Sequence, residues 1–198
     1  MAQQSATTGR TTSQVGFAGV LLGFAPWIVF GVLAGPSTWE YAALAGLIAA
    51  LVLSGQDLRR RRYMLLDMAG ILFFAVISVL ALVLGRDQLL WLETYAQVIS
   101  SGVLACVALG SLLRDPFTAQ YARRTTPPEV WDSPVFLHIN RVLTAAWGTV
   151  FALIAVLGWL AVRTPSASDW LNWVLPVVLL VWAVDFTRRY PDSYLGRQ

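Results

Sequence analysis

Apolar residues in this chain come in long blocks separated by short polar stretches, and the blocks have the length of membrane helices. A bilayer core is about 30 Å thick and takes about 20 apolar residues per helix. The runs at 16–34, 39–56, 66–85, 89–113, 137–162 and 170–186 therefore predict an all-α, polytopic transmembrane bundle of six spans in three hairpins. Residues 1–15, rich in Gln, Ser and Thr, predict a disordered cytoplasmic lead, and residues 188–198 a cytoplasmic tail. The first apolar run is long for a signal-peptide core, and Gly35-Pro36-Ser37 after it reads as a turn rather than a cleavage site. Pro26 and Pro176 each remove a helical hydrogen bond, so both spans should kink. The second run carries Ala42, Ala45, Gly46, Ala49 and Ala50, and its small residues should let it pack closely inside the bundle.

Composition narrows the function classes. The chain of 198 residues is 57% hydrophobic and only 13% charged, against about 25% charged in soluble domains. Its longest loop, Arg114 to Val135, leaves no room for a separate soluble catalytic domain. All 14 basic residues are arginine. With the N-terminus inside, Arg10, Arg59, Arg60, Arg61, Arg62, Arg114, Arg123, Arg124, Arg141, Arg188, Arg189 and Arg197 fall on the cytoplasmic side. Arg86 and Arg163 alone fall outside, a positive-inside pattern that places both termini in the cytoplasm. The net charge of +3 thus reads as a topology code, with no nucleic-acid partner implied. Trp39, Trp91, Trp170 and Trp173 fall near the outer boundary and Trp131 near the inner one, as interfacial anchors do.

Candidate chemistry is sparse. One cysteine, Cys106, excludes an internal disulfide and reads as packing in an apolar helix. The single histidine, His138, cannot build a bis-histidine haem or a His-based zinc site, and reads as a polar group at a helix end. No nucleophile elbow, phosphate loop or His-Glu-x-x-His motif is present, so no enzyme, metal or cofactor is expected. Ionisable groups in spans are the default place to seek function. Asp67, Arg141 and Asp185 come out near the cytoplasmic boundary with Asn140 close by, where they could neutralise one another or each snorkel to an interface. Glu93, with Gln97 a turn later and Ser100 and Ser101 beyond, forms the deepest polar stripe, a candidate pathway or an interhelical hydrogen-bonding face. Arg59 to Arg62 can bind anionic lipid headgroups as well as set topology. In the long loop, Pro127-Pro128, Trp131 and Asp132-Ser133-Pro134 predict an ordered surface, and with Arg123 and Arg124 it suits a docking site.

From Asp87 to Trp173 the chain carries Arg114-Asp115-Pro116-Phe117, then Thr126-Pro127-Pro128-Glu129-Val130-Trp131, then Asn140, Trp147-Gly148 and Phe151. This order resembles the bacterial intracellular septation protein A family of small inner-membrane proteins. The loop here is longer, and the N-terminal half is similar in hydropathy alone. The resemblance implies a non-enzymatic membrane protein of cell-envelope maintenance or division that acts through other inner-membrane proteins. Pro116, Pro127, Trp131, Asn140 and Trp147 would then be structural or partner-binding. Two other classes stay open on the residues: a small transporter or channel, and a membrane subunit of a respiratory or photosynthetic complex.

Overall fold

The computed structural model describes residues 19, 21–34, 38–59 and 61–196. The expected lead over 1–15, the turn at Gly35-Pro36-Ser37, Arg60 and Arg197 lie outside these residues. Among the described residues there are helices and turns and no strand. Helix α1 spans Leu21–Leu33. It is followed by α2 (Trp39–Arg59), α3 (Leu65–Val83), α4 (Arg86–Ser111), the short α5 (Phe117–Ala122), α6 (Pro134–Arg163) and α7 (Leu175–Leu195).

Four helical stretches are long and apolar enough to cross a membrane: α3, α4, α6 and Trp170–Leu195. The first two expected spans appear as shorter apolar helices, Leu21–Leu33 and Trp39–Gly55. Apolar character ends early in α2 because Asp57 and Arg59 continue the same helix. Three boundaries differ from the hydropathy reading for local reasons. Arg86-Asp87-Gln88, expected as a turn, is the first turn of α4, because Gln88 Oε1 accepts from the Gly85 N–H at 3.2 Å and caps the helix. Ser133 caps α6 by accepting from the Phe136 N–H at 3.2 Å, with Pro134 at the first helical position. The last helix runs on past Phe186 to Leu195 and carries an aromatic ladder of Trp182, Phe186, Tyr190 and Tyr194 at four-residue spacing.

Helix α1 is the hub. Phe24 stacks on Trp147 of α6 at 4.9 Å and meets the Phe117 ring edge-on at 5.9 Å. One turn on, Trp27 stacks on Phe73 of α3 at 4.9 Å, and Phe30 packs on Phe74 at 5.5 Å. Within lipid, helices gain little by hiding apolar surface from each other, so association rests on close packing and polar contacts. Interlocked aromatic rings supply the first, and small residues allow the approach. Ala42, Gly46 and Ala50 form the buried face of α2, and a Cβ on Gly46 would stand 2.8 Å from the Phe74 ring. The outer surface carries the complementary apolar belt, with Leu72, Leu82, Val177, Val181 and Trp182 exposed.

Arginine at 61 takes a conformation that favours glycine, with φ 55°. The Arg61 N–H bonds to the Leu58 carbonyl at 3.0 Å and the Arg62 N–H to the Asp57 carbonyl at 2.8 Å, a Schellman-type end to α2. Arg61→Gly should therefore stabilise the protein by about 1 kcal/mol, read as a small rise in melting temperature, while removing one charge of the run. A fall in melting temperature would refute the strain.

Candidate functional site

Polar groups gather at both ends of the bundle. At one end α5 is drawn inward as a plug. Its N-terminus is fixed by Ser111, whose Oγ accepts from the Phe117 N–H at 3.0 Å and donates to the Ala108 carbonyl at 2.6 Å. Phe117, Thr118, Ala119 and Tyr121 are all buried. Thr118 Oγ1 donates to the Asn140 carbonyl at 2.9 Å and lies 2.8 Å from Thr144 Oγ1. Thr144 is fully buried, so Thr144→Val, equal in shape, isolates the value of that hydroxyl. Its expected cost is about 1–3 kcal/mol of thermal stability, since the Thr118 hydroxyl loses a partner in a dry site, with Thr144→Ser costing less. Equal stability of the Val variant would show that the pair contributes nothing.

Tyr121 reaches from α5 to α1 and α3. Its hydroxyl donates to Asp67 Oδ1 at 2.7 Å, and its ring fits against Gly23, where a Cβ would stand 2.9 Å from Tyr121 Cζ. Burial, and next the Asp67 carboxylate, push the phenol well above its ordinary pKa, so Tyr121 stays a neutral donor. Two arginines brace the plug from outside. Arg124 pairs with Asp57 at 2.8 Å and lies over the Tyr121 ring at 5.3 Å. Arg123 pairs with Asp115 at 2.7 Å and lies over Trp131 at 5.9 Å. Gln120 Oε1 accepts from the Leu65 N–H at 2.9 Å, tying the plug to the start of α3. Trp131 is held by its indole N–H on the Thr126 carbonyl at 2.9 Å. A shallow cavity of about 460 Å³ opens beside these groups, between Tyr63, Met68 and Arg123.

The six residues expected to form a polar cluster or pathway separate into different settings. Asp67 is bound to Tyr121. Asp185 pairs with Arg189 on its own helix at 2.8 Å, and Arg141 is exposed and makes no ion pair among the described residues. Asn140 is buried and donates to the Phe136 carbonyl of its own helix at 2.9 Å. Glu93 and Gln97 lie together at the opposite end. The mutual neutralisation of Asp67, Arg141 and Asp185 is thus absent among the described residues, because α5 and Tyr121 occupy the space beside Asp67. Arg59, Arg61 and Arg62 are exposed at the α5 end. His138, also there and exposed, stacks on Tyr194 at 4.8 Å, with Nε2 3.2 Å from the Tyr190 hydroxyl. Cys106 is exposed rather than packed.

At the far end, α1, α2, α4, α6 and the start of the last helix surround a half-open cleft of about 500 Å³. Glu93, Thr94, Gln97 and Asn172 supply its polar groups, and Trp39 and Trp173 its aromatic wall. Trp39, expected at the lipid boundary, is 2% exposed and belongs to this wall. Gln97 donates through its side-chain nitrogen to the Gly31 carbonyl at 3.1 Å. Asn172 lies in a turn of π-helix, Trp170–Val174, directly before Pro176. The proline lacks the N–H that would bond to the carbonyl four residues back, and a wider turn accommodates the mismatch.

Motifs and hydropathy single out neither Tyr121 nor Thr118 nor Thr144. Thr144 falls on one face of α6 with Asn140, Trp147 and Phe151, a spacing that marks it as inward-facing. Nothing local in the sequence marks Tyr121. Among the described residues no three His, Cys, Asp or Glu side chains could together hold a metal ion. Compared with family models, with curated proteins and with solved structures, the chain matches none.

Proposed function

We propose that the chain is a non-enzymatic integral membrane protein of the bacterial inner membrane, with six spans, both termini cytoplasmic and the α5 end as a docking surface for other membrane proteins. The path of the two shorter helices supports six spans. Gly23 meets Tyr121 at the α5 end while Gly31 meets Gln97 at the far end, so α1 runs from one end toward the other. Helix α2 returns from Trp39 at the cleft to Asp57 beside Arg124. The placement of arginine supports the orientation. Among the described residues, Arg59, Arg61, Arg62, Arg114, Arg123 and Arg124 belong to the α5 end, and Arg86 and Arg163 to the other.

The observation that carries the docking role is the packing between the two ends of the bundle among the described residues. The two cavities share no lining residue, and the buried rings of Phe24, Trp27 and Phe30 lie between the ends of α1. A braced plug ringed by arginines suits contact with proteins and anionic headgroups better than passage of a solute. The resemblance to septation protein A points the same way, toward envelope maintenance or division. A photo-crosslinking residue at Val130, exposed on the loop, should capture another inner-membrane protein in living cells. Arg123→Ala with Arg124→Ala should reduce that adduct. Absence of any adduct, together with normal septation and an intact envelope in a deletion strain, would overturn the proposal.

Transport is the second reading, favoured by the polar cleft and its π-turn. It requires flux in proteoliposomes that Glu93→Gln abolishes.

A further inference from the structure

We propose that two outward-facing helices, α2 and Trp170–Leu195, thin the bilayer around the protein, so that it is matched to phospholipids with short acyl chains. The inference rests on the six-span reading and adds the kind of lipid that those spans fit. Both helices turn much of their surface outward. Tyr41, Ile48 and Val52 of α2 and Val177, Val181 and Trp182 of the last helix are exposed, and in α7 only Pro176 and Ala183 are buried.

The stretch that each helix can place in hydrocarbon is short. Between Glu40 and Asp57 lie 16 uncharged residues, 41–56, and between Asp169 and Asp185 lie 15, 170–184. At a rise of about 1.5 Å per residue they reach about 24 and 22 Å, against a hydrocarbon core of about 30 Å. Helices α4 and α6, which pack on one another, differ. The uncharged run along α4 has 20 residues, 94–113, and that along α6 has 21, 142–162. These reach about 30 and 31 Å, an ordinary bilayer thickness.

The other ways of meeting a mismatch are closed to the two short runs. Tilt lowers the reach of a helix further. Snorkelling suits long side chains, but the bounding groups here are carboxylates, and two are already held: Asp57 by Arg124 at 2.8 Å and Asp185 by Arg189 at 2.8 Å. Sliding along the bundle is blocked as well. Helix α2 is fixed by buried Trp39 and by Gly46 against the Phe74 ring, and α7 by Thr187, whose Oγ1 accepts from the Trp147 indole N–H at 3.0 Å. Drawing four carboxylates into hydrocarbon costs more than thinning the lipid beside two helices. The bilayer yields before the protein does.

The full chain is reconstituted in phosphatidylcholine vesicles with monounsaturated chains of fourteen, eighteen or twenty-two carbons, and its unfolding is followed by circular dichroism. The melting temperature should be highest in the fourteen-carbon lipid and about 5 °C lower in the eighteen-carbon lipid, with a further fall at twenty-two. The triple variant Glu40→Leu, Asp185→Leu, Arg189→Leu lengthens both apolar runs and should move the optimum to eighteen carbons. A wild-type optimum at eighteen carbons, equal melting temperatures throughout, or a triple variant still best at fourteen overturns the proposal. Should the variant fail to fold, the wild-type series decides alone. The six-span reading is tested separately, by labelling Thr38→Cys and Arg62→Cys in a Cys106→Ala chain with an impermeant maleimide. Labelling of Thr38→Cys in intact spheroplasts, and of Arg62→Cys only after lysis, supports that reading and leaves the lipid series to judge thinning alone. Labelling of both before lysis overturns the six spans and the inference with them.

Discussion

Replacing Tyr121 with alanine should be the most damaging single change away from the helix interfaces, lowering stability by about 3–5 kcal/mol for the cavity alone. Tyr121 is 1% exposed and the largest of the fully buried side chains. Its loss also leaves the Asp67 carboxylate half-buried without the hydroxyl 2.7 Å away, adding about 1–3 kcal/mol. A drop in melting temperature on the order of 10 °C follows for a chain of this length. Tyr121→Phe keeps the ring against Gly23 and removes only the hydroxyl, so its cost should be about a third of that. If the Phe variant were as unstable as the Ala variant, the hydrogen bond and not the packing would hold α5 in place. If neither changed the melting temperature, α5 would not be a plug at all. Because Arg123 and Arg124 of the proposed docking surface directly follow α5, Tyr121→Ala should also weaken the crosslink from Val130, whereas Tyr121→Phe should leave it near its original level.

Adding a side chain at Gly148 is also expected to destabilise the protein, by a smaller amount and by the opposite mechanism. Helices α4 and α6 meet there so closely that a Cβ would stand 2.6 Å from Leu109 Cγ and 3.3 Å from the Leu109 backbone nitrogen. Alanine gains up to about 1 kcal/mol in helix propensity. Overpacking costs about 1–3 kcal/mol, so Gly148→Ala should be a net loss, and Gly148→Val a larger one. The backbone atom sets a floor on how far the helices can adjust, because Leu109 can turn away only its side chain. Trimming that side chain tests the cause directly. The double variant Gly148→Ala, Leu109→Ala should lose less than the two single losses summed, and thermal unfolding of the four proteins measures the coupling. Strict additivity would mean that the contact does not constrain the interface.

Much of the architecture is legible in the chain because hydropathy is a local property. Whether twenty residues can sit in lipid depends on their own side chains, so α3, α4, α6 and the last helix fall close to where the apolar blocks predict them. Caps are local too. Ser133-Pro134 begins α6 as its residue types require, and the small residues of α2 form a buried face as their spacing implies. The expected polar stripe of Glu93 and Gln97 also needs only helical spacing to be seen, and both residues line one cleft.

Partners are another matter, since a hydrogen bond across the bundle depends on how helices rotate and cross. The carboxylates and arginines near the α5 end share a boundary in sequence, but Asp67 pairs with Tyr121, 54 residues away, and Asp185 with its own helical neighbour. That α5 turns inward is decided by many weak contacts at once: Ser111, Thr118, Gly23 and the ring of Phe24. None of these is distinctive alone. Local composition suffices to predict helices apolar enough to cross a membrane, with the charges gathered toward one set of boundaries. It takes the packed bundle to set α1 against both α3 and α6, to bring a tyrosine into one end, and to join Trp39 and Asn172 with Glu93 at the other. Periodicity reports which face of a helix is apolar; it carries no record of which neighbour that face meets.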